Sequence, residues 1–298
     1  MENKITDSLA SLFDEAQDFK RGKLEESICE ELEDCEGRYG ERTFIASGGM
    51  KDIYEVWDKT TDRNVAMAIL SGDAQGSVKE SFLREARITA KLQHPNIIPI
   101  YDMGMIDHQP YFTMKRLVGE TLENIIDKLD EGIESYQKRF PLAMRVRIFQ
   151  RICEALTYAH SKGVIHLDLK PANIHISDFN EVTLCDWGIS KIVDELSDDS
   201  LLDRYSLNQF DLNNMTIDGF IKGTPGFMAP EQASGGIKDC RTDIYALGAL
   251  LYNLLTCKKL IDASSVEEYV TRVTQGDLTR HELGKNILPT SLEAISLK

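Results

Sequence analysis

Two short stretches in the second half of the chain carry side chains that could hold a metal ion and stabilise negative charge. The first, VIHLDLKPANI, contains Asp168, Lys170 and Asn173, and the second, LCDWGISK, contains Asp186. Asparagine and aspartate oxygens are hard ligands of the kind that Mg²⁺ prefers. Phosphoryl transfer needs such groups, because it depends on positioning and charge neutralisation more than on covalent help. Any one of these residues alone would be interpreted as a solvated loop residue, so the prediction rests on the set.

A third stretch, GTPGFMAPE, follows and ends at Glu231. With the three motifs in this order, the sequence resembles the protein kinase family, and most closely the bacterial Ser/Thr kinases of eukaryotic type, over roughly residues 40–298. The resemblance implies an α+β, two-lobed kinase-like fold, with a small antiparallel β lobe and a larger helical lobe. It also implies that ATP and Mg²⁺ are cofactors and that the γ-phosphoryl group is transferred to Ser or Thr of a protein substrate.

The same resemblance implies a role for each motif residue. Asp168 accepts or orients the proton of the substrate hydroxyl, and Lys170 reaches the transferring phosphate. Asn173 and Asp186 hold Mg²⁺ that bridges the ATP phosphates. Thr224, in GTPGF, is similar to the threonine that hydrogen-bonds the catalytic aspartate and lysine in Ser/Thr-specific members.

Residues of the first half of the chain match the nucleotide-binding positions of the family. Glu85, in FLREARI, matches the helix glutamate that holds the phosphate-binding lysine. Met114 resembles the residue at the back of the adenine pocket, and Ala66 is expected to line that pocket. Lys115 and Leu117 are then expected to supply backbone hydrogen bonds to adenine.

One expected residue is missing and another stands in an unusual place. The family carries V-A-I-K on its third strand, but here residues 65–68 read VAMA, so Ala68 replaces the phosphate-binding lysine. Residues 46–51, ASGGMK, keep Gly48 of the glycine loop, with Gly49 beside it, and place Lys51 at the third glycine position. Because neighbouring strands lie about 4.8 Å apart, a lysine on the second strand can reach the same phosphates. This arrangement resembles the with-no-lysine kinases.

Three interpretations remain open. In the first, Lys51 replaces the missing lysine and the protein is an active kinase. In the second, Lys51 is an exposed loop lysine and the protein is a pseudokinase that acts as a nucleotide-binding interaction or scaffolding module. In the third, Ala68 is a laboratory substitution for a natural lysine. The third leaves Lys51 unexplained, since a bulky charged residue at a glycine position has a steric cost.

Further departures change what is expected of regulation and packing. Leu167 stands where an arginine would bind a phosphorylated activation loop, so activation through that arginine is not expected. Trp187 replaces the usual phenylalanine after the metal-binding aspartate and is expected to pack between the helix of Glu85 and His166. Asp243 resembles the aspartate that braces the backbone around His166. The arginine that pairs with the counterpart of Glu231 is absent, so either the chain is a piece of a longer protein, which is the favoured interpretation, or the lobe is closed in another way, for example by another chain.

Hydrophobic periodicity predicts the elements that must position these residues. Short alternating or apolar stretches are typical of strands, and longer stretches with apolar residues at helical spacing predict helices. The predicted strands are 42–49, 52–58, 64–70, 96–106 and 109–117, and the predicted helices are 77–93, 142–163 and 241–257, the last of them buried.

Composition and charge divide the chain and limit its partners. Residues 1–38 are interpreted as an acidic extension, 39–117 as the smaller lobe, and 118–298 as a larger lobe that is incomplete at its C-terminus. A net charge of −15 disfavours nucleic acids and anionic membranes as partners. Six cysteines without C-x-x-C spacing predict reduced thiols, and no stretch is long and apolar enough to span a membrane. A cytoplasmic domain is expected, and three properties are left open: that it is part of a longer, membrane-anchored protein, that it self-associates and that it phosphorylates itself.

Overall fold

The computed structural model describes residues 37–48, 50–72, 77–188, 190–192 and 226–279. They belong to two compact units. The first unit contains the residues up to Ala86 together with Ile100–Arg116, and the second contains Arg87–Pro99 and the residues from Leu117 onward.

The first unit is built on a five-stranded antiparallel sheet with the strand order β1-β2-β3-β5-β4. Helix α1 follows the third strand and carries Phe82, Leu83 and Ala86 on its buried side. The bounds of these elements are β1 Thr43–Gly48, β2 Lys51–Asp58, β3 Arg63–Leu70, α1 Ser77–Lys91, β4 Ile100–Ile106 and β5 Gln109–Met114.

Each face of this sheet has its own buried cluster, because successive side chains of a strand point to opposite faces. Ala68, Leu70 and Phe112 pack with the apolar side of α1. The opposite face buries a second cluster, which includes Met67 and Tyr111. Strand β3 therefore contributes to both clusters, as expected for a central strand that reads as a nearly continuous apolar run.

The second unit is mainly helical. Its long helices α4 and α6 pack together around a cluster that also holds residues of α2 and of the short strands. The helices are α2 Leu122–Asp130, α3 Glu134–Arg139, α4 Leu142–Ser161, α5 Pro230–Ala233, α6 Cys240–Thr256 and α7 Val266–Gln275. The strands are β6 Glu120–Thr121, β7 Val164–Ile165, β8 Ile174–Ile176, β9 Val182–Leu184 and β10 Lys191–Ile192, and a 3₁₀ turn spans Pro171–Asn173.

The ends of the two long helices have clear local causes. After α4, Gly163 adopts a φ of 72°, a left-handed conformation that glycine takes without steric cost, and its N–H donates to the carbonyl of His160. Asp239 is the N-cap of helix α6, and its side chain accepts a hydrogen bond from the N–H of Arg241. The helix ends at Cys257, which has a φ of 59°.

The predicted α+β class, with a small antiparallel sheet and a larger helical part, is confirmed, and α6 is buried as predicted. The alternation predicted to half-bury β1 is wrong, because all six of its residues are exposed. β1 is the edge strand and pairs with β2 alone, so it lacks the cover that β3 receives. The predictions for residues 1–36 and 280–298 lie outside the described residues. None of the described helices combines the length and apolar character required to cross a bilayer.

Candidate active site

In the first unit, the Lys51 ammonium forms an ion pair with the Glu85 carboxylate. Lys51 is the first residue of β2, and Glu85 lies on the buried side of α1, where 8% of its side chain is exposed. The Lys51 Nζ also lies 5.8 Å from the centre of the Phe112 ring, within cation–π range. A charge as buried as that of Glu85 requires a partner, and Lys51 provides it.

The strand register explains how Lys51 reaches this position. Lys51 pairs with Leu70, and the next residue on the same face of β2, Ile53, pairs with Ala68. Lys51 and Ala68 are therefore diagonal neighbours on one sheet face, a relation that spans about 7–8 Å. Ala68 is fully buried and carries no charge, and on the same face Lys51 provides a cation for Glu85.

The glycine positions at the β1–β2 turn are only partly described. Gly48 pairs with Lys51 and is exposed, and a Cβ added to it would meet nothing within 4 Å. Packing therefore does not require a glycine there, and the open space around it would admit a ligand. Gly49 lies outside the described residues.

The residues expected to surround adenine fall in both units. Ala66 is buried and pairs with Met114, so these two share the sheet face of Lys51 and Ala68. Met114 is half-buried and ends β5, and Lys115 follows it in the first unit. Leu117 is half-buried and belongs to the second unit.

In the second unit, Asp168 receives hydrogen bonds from both neighbouring motif residues. Lys170 Nζ donates to its Oδ2 over 2.8 Å, and Asn173 Nδ2 donates to the same oxygen over 3.0 Å. Asn173 Nδ2 also donates to the main-chain carbonyl of Asp168 over 2.8 Å. These bonds fix the carboxylate, and they leave Asn173 Oδ1 as the side-chain atom that could bind a metal ion.

Helix α6 supports the loop that carries Asp168. The buried carboxylate of Asp243 accepts hydrogen bonds from the N–H groups of His166 and Leu167, both over 2.9 Å. The brace predicted from sequence is confirmed. His166 in turn accepts from the N–H of Asp168 at Nδ1, and its Nε2 lies 3.2 Å from the carbonyl oxygen of Cys185. A neutral imidazole with its proton on Nε2 satisfies both contacts.

A backbone hydrogen bond joins Asn173 to the residue before Asp186, and Asn173 and Asp186 are the two residues expected to hold Mg²⁺. The N–H of Cys185, the residue before Asp186, donates to the carbonyl of Asn173 over 2.9 Å. Asp186 is exposed and has a φ of 61°, a conformation that non-glycine residues adopt rarely. Among the described residues no group of three or more His, Cys, Asp or Glu could hold a metal. The oxygens of Asn173 and Asp186 fit Mg²⁺, and its other ligands would come from phosphates and water, as is usual for this ion.

Three departures noted in the sequence have structural outcomes. Trp187 is buried, and its ring centre lies 4.5 Å from that of His166, so the part of the prediction that concerns His166 is confirmed. Leu167 is also buried and has a φ of 65°. The Glu231 carboxylate, expected to lack a partner, accepts a hydrogen bond over 2.6 Å from the Thr242 hydroxyl, which the start of α6 brings into reach. Thr224 lies outside the described residues.

Two further residues support the loop and were not identified from the sequence. His160, in the last turn of α4, lies with its Nε2 2.7 Å from Asp243 Oδ2. Gln232 Nε2, in α5, donates to the carbonyl of Leu167 over 2.8 Å. A polar residue in the last turn of the otherwise apolar side of α4 was the available signal for His160, whereas no local pattern marks Gln232.

Comparison with known proteins agrees with this geometry. A family model described as a protein kinase domain matches residues 39–292. The chain belongs to the protein kinase domain family. Its antiparallel-sheet unit and helical unit are the two lobes of that fold, as the resemblance implied.

Three similar curated proteins are bacterial kinases. The Serine/threonine-protein kinase PknD of Protochlamydia amoebophila is 37% identical over 233 residues, which is 76% of this chain. The proteins of the same name from Chlamydia caviae and Chlamydia trachomatis serovar D are each 37% identical over 74% of this chain. The chain spans 24% of the length of each of these relatives.

Proposed function

We propose that this kinase domain is an ATP- and Mg²⁺-dependent protein serine/threonine kinase in which Lys51 replaces the usual lysine of the third strand. The family and the relatives, which are named as Ser/Thr kinases, support the reaction class. We also propose residues 39–117 and 118–298 as the two lobes, with residues 1–38 as an acidic extension.

The Lys51–Glu85 ion pair is the observation that carries this proposal. In kinases the phosphate-binding lysine is recognised by its pairing with the glutamate of the first helix. Here Ala68 cannot form that pair, and the lysine that does form it lies on the same sheet face. The proposal therefore assigns the α- and β-phosphates of ATP to Lys51, and it assigns to Gly48 and Gly49 the close approach of the backbone to these phosphates.

The second unit supplies the groups proposed for the transfer step. Asp168, oriented by Lys170 and Asn173, would accept or orient the proton of the substrate hydroxyl. Lys170 would stabilise charge on the transferring phosphoryl group, and Thr224 would orient Asp168 and Lys170. Bound Mg²⁺ would neutralise phosphate charge, held by Asn173 Oδ1 and the carboxylate of Asp186.

The first test measures transfer of phosphate from Mg·ATP to a generic protein acceptor and to the chain itself. Lys51→Met and Asp168→Ala should each lower the rate by roughly 100-fold or more, since each removes a preorganised charge. Lys59→Met is the matched control, because Lys59 is an exposed lysine whose Nζ contacts the carbonyl of Gly37. Equal rates for wild type and Lys51→Met would contradict the role of Lys51. Incorporation into the chain itself would support the proposed autophosphorylation.

A second test moves the charge between strands. In the Lys51→Met background, Ala68→Lys should recover part of the lost rate, because position 68 is the diagonal neighbour of position 51 on the same face. The measurement is the same phosphate incorporation. Failure of the double variant to exceed Lys51→Met, while it remains folded by circular dichroism, would argue against a shared phosphate site.

The alternative function is that of a pseudokinase, a nucleotide-binding interaction or scaffolding module. Ala68 and the buried Leu167 favour it, since both replace functional residues of the family. ATP binding by every version of the chain, with no phosphate incorporation from any, would select this alternative.

A further inference from the structure

A second ion pair lies on the sheet face that carries Lys51, farther along β2. It connects β2 to the segment after β5. Glu55 of β2 pairs directly with Ala66 of β3, and Ala66 pairs with Met114 of β5. These three residues form a row across three strands on one sheet face. Arg116 lies two residues beyond Met114, and its Nε is 3.0 Å from Oε1 of Glu55.

This ion pair joins two segments that are not neighbours in the sheet. Strand β3 lies between β2 and β5, so the side chains of Glu55 and Arg116 meet across it. About 39% of the Arg116 side chain and 25% of the Glu55 side chain are exposed. The pair is thus partly shielded from water, and both of its members belong to the first unit.

The position of the pair differs from that of Lys51. Lys51 and Glu55 lie on the same face of β2 and are separated by four residues, a rise of about 13 Å along a strand. The Lys51–Glu85 pair is proposed to meet the phosphates, whereas Glu55 and Arg116 adjoin Ala66 and Met114, which are proposed to surround adenine. The two pairs therefore belong to opposite ends of the proposed nucleotide site.

We propose that the Glu55–Arg116 ion pair is a clamp that positions the adenine-binding backbone. The inference rests on the proposed function. Arg116 stands between Lys115 and Leu117, the two residues proposed to bind adenine through their main-chain groups. Attaching its side chain to β2 restricts the backbone on either side of it, so less conformational freedom remains to be lost when the base binds. Arg116 and Glu55 are positioning residues in this proposal, and neither contacts the nucleotide.

The kinetic test uses Glu55→Gln and Arg116→Gln, which remove one charge each and nearly preserve size. Each should raise the KM for ATP about three- to fivefold, the range of a partly exposed ion pair, and leave kcat unchanged. The charge-reversed double variant Glu55→Lys/Arg116→Glu should recover at least half of the loss. Arg42→Gln is the matched control, since Arg42 forms an exposed ion pair with Asp107 in the same unit. A change in kcat alone, or no rescue, would overturn the clamp.

Equilibrium binding separates this inference from the proposed function. Titration calorimetry with adenosine and with Mg·ATP should show that Arg116→Gln weakens both ligands by the same factor. Lys51→Met should weaken Mg·ATP and leave adenosine unchanged. Wild-type affinity of Arg116→Gln for adenosine would overturn the clamp while the kinase proposal stands. Absence of binding of either ligand to the wild-type chain would overturn the proposed function and the clamp with it.

Discussion

At the scale of single residues, buried carboxylates are held by several donors at once. Asp58, at the end of β2, accepts hydrogen bonds from Arg38 Nε and Nη2 over 3.1 and 3.0 Å. The Thr61 hydroxyl and the N–H of Thr60 donate to the same carboxylate. The hydrogen bonds from Arg38 outweigh the opposing effect of burial and hold the pKa of Asp58 well below its usual range. Arg38 thereby attaches the start of the described chain to the sheet.

This lowered pKa predicts how stability depends on acidity. At pH 7, Asp58→Asn should reduce the free energy of unfolding by about 2 kcal/mol, because it removes charge-assisted hydrogen bonds from a buried group. The unfolded chain binds a proton at Asp58 near pH 3.9, whereas the folded chain does not until a lower pH. The stabilisation is therefore complete above about pH 4 and decreases as the pH falls further.

Urea denaturation of wild type and Asp58→Asn at pH 7, 5, 4 and 3 measures this difference. The control is Asp107→Asn, whose carboxylate is 62% exposed and should change stability little at any of these pH values. A difference between wild type and Asp58→Asn that stayed constant down to pH 3 would contradict the assignment of the lowered pKa.

At the scale of elements, the segment before β6 depends on a glycine that packs against β8. Gly119 has a φ of 120°, and a Cβ added to it would lie 2.2 Å from the carbonyl oxygen of Ile176. Strand β6 pairs with β8 through Glu120 and Ile176, so the close approach comes from the sheet register. The atoms that this Cβ would meet belong to the backbone, and moving them requires more free energy than rotating a flexible side chain.

Gly119→Ala should therefore lower the free energy of unfolding by roughly 4 kcal/mol, through strain in both φ and packing. Gly235→Ala is the matched control, because Gly235 also has a positive φ of 73° but nothing lies within 4 Å of the position that its Cβ would occupy. Gly235→Ala should lower the free energy of unfolding by about 1 kcal/mol. Chemical denaturation measures the free energy of unfolding of the two variants. If both variants lost the same amount, the clash at Gly119 would be shown to contribute little.

Elements were easier to predict from the sequence than contacts between them. The strands and long helices follow from local apolar patterns, so β2, β3, α4 and α6 begin and end within two residues of their predicted bounds. The Glu55–Arg116 pair joins residues 61 positions apart, and it depends on a register that no local pattern fixes. The two-residue strands β6, β7 and β10 were not predicted, because they are too short to show periodicity.

In the candidate site, too, contacts within one motif were easier to predict than contacts between distant residues. Asp168, Lys170 and Asn173 are close in sequence, so their mutual hydrogen bonds follow from one motif. The ion pair of Lys51 with Glu85 could be predicted because a family pattern had lost one lysine and gained another. The catalytic role of Lys51 stays a prediction.

At the scale of the whole molecule, nucleotide binding should stabilise the folded chain through linkage. A ligand present at 100 times its Kd adds about 2.7 kcal/mol to the free energy of unfolding. Mg·ADP should stabilise wild type more than ADP with EDTA, because the proposed metal is held jointly by phosphates and by Asn173 and Asp186. In Asp186→Ala the advantage of Mg·ADP over ADP should largely disappear.

Thermal denaturation in the two ligand conditions measures this difference, and Asp262→Ala serves as the control for removing an exposed carboxylate. Asp262 is exposed and lies in the loop after α6, outside the motif that contains Asp186. An unchanged magnesium effect in Asp186→Ala would remove this residue from the proposed metal site.

The location of Lys51 in the sheet has a consequence for turnover. A lysine at position 68 would lie on the central strand β3, which pairs with a strand on each side. Lys51 instead begins β2 and pairs with Gly48 of the exposed edge strand β1, directly after the turn that joins the two strands. If Lys51 acts as proposed, any displacement of this hairpin during product release would also move the charge that binds the polyphosphate.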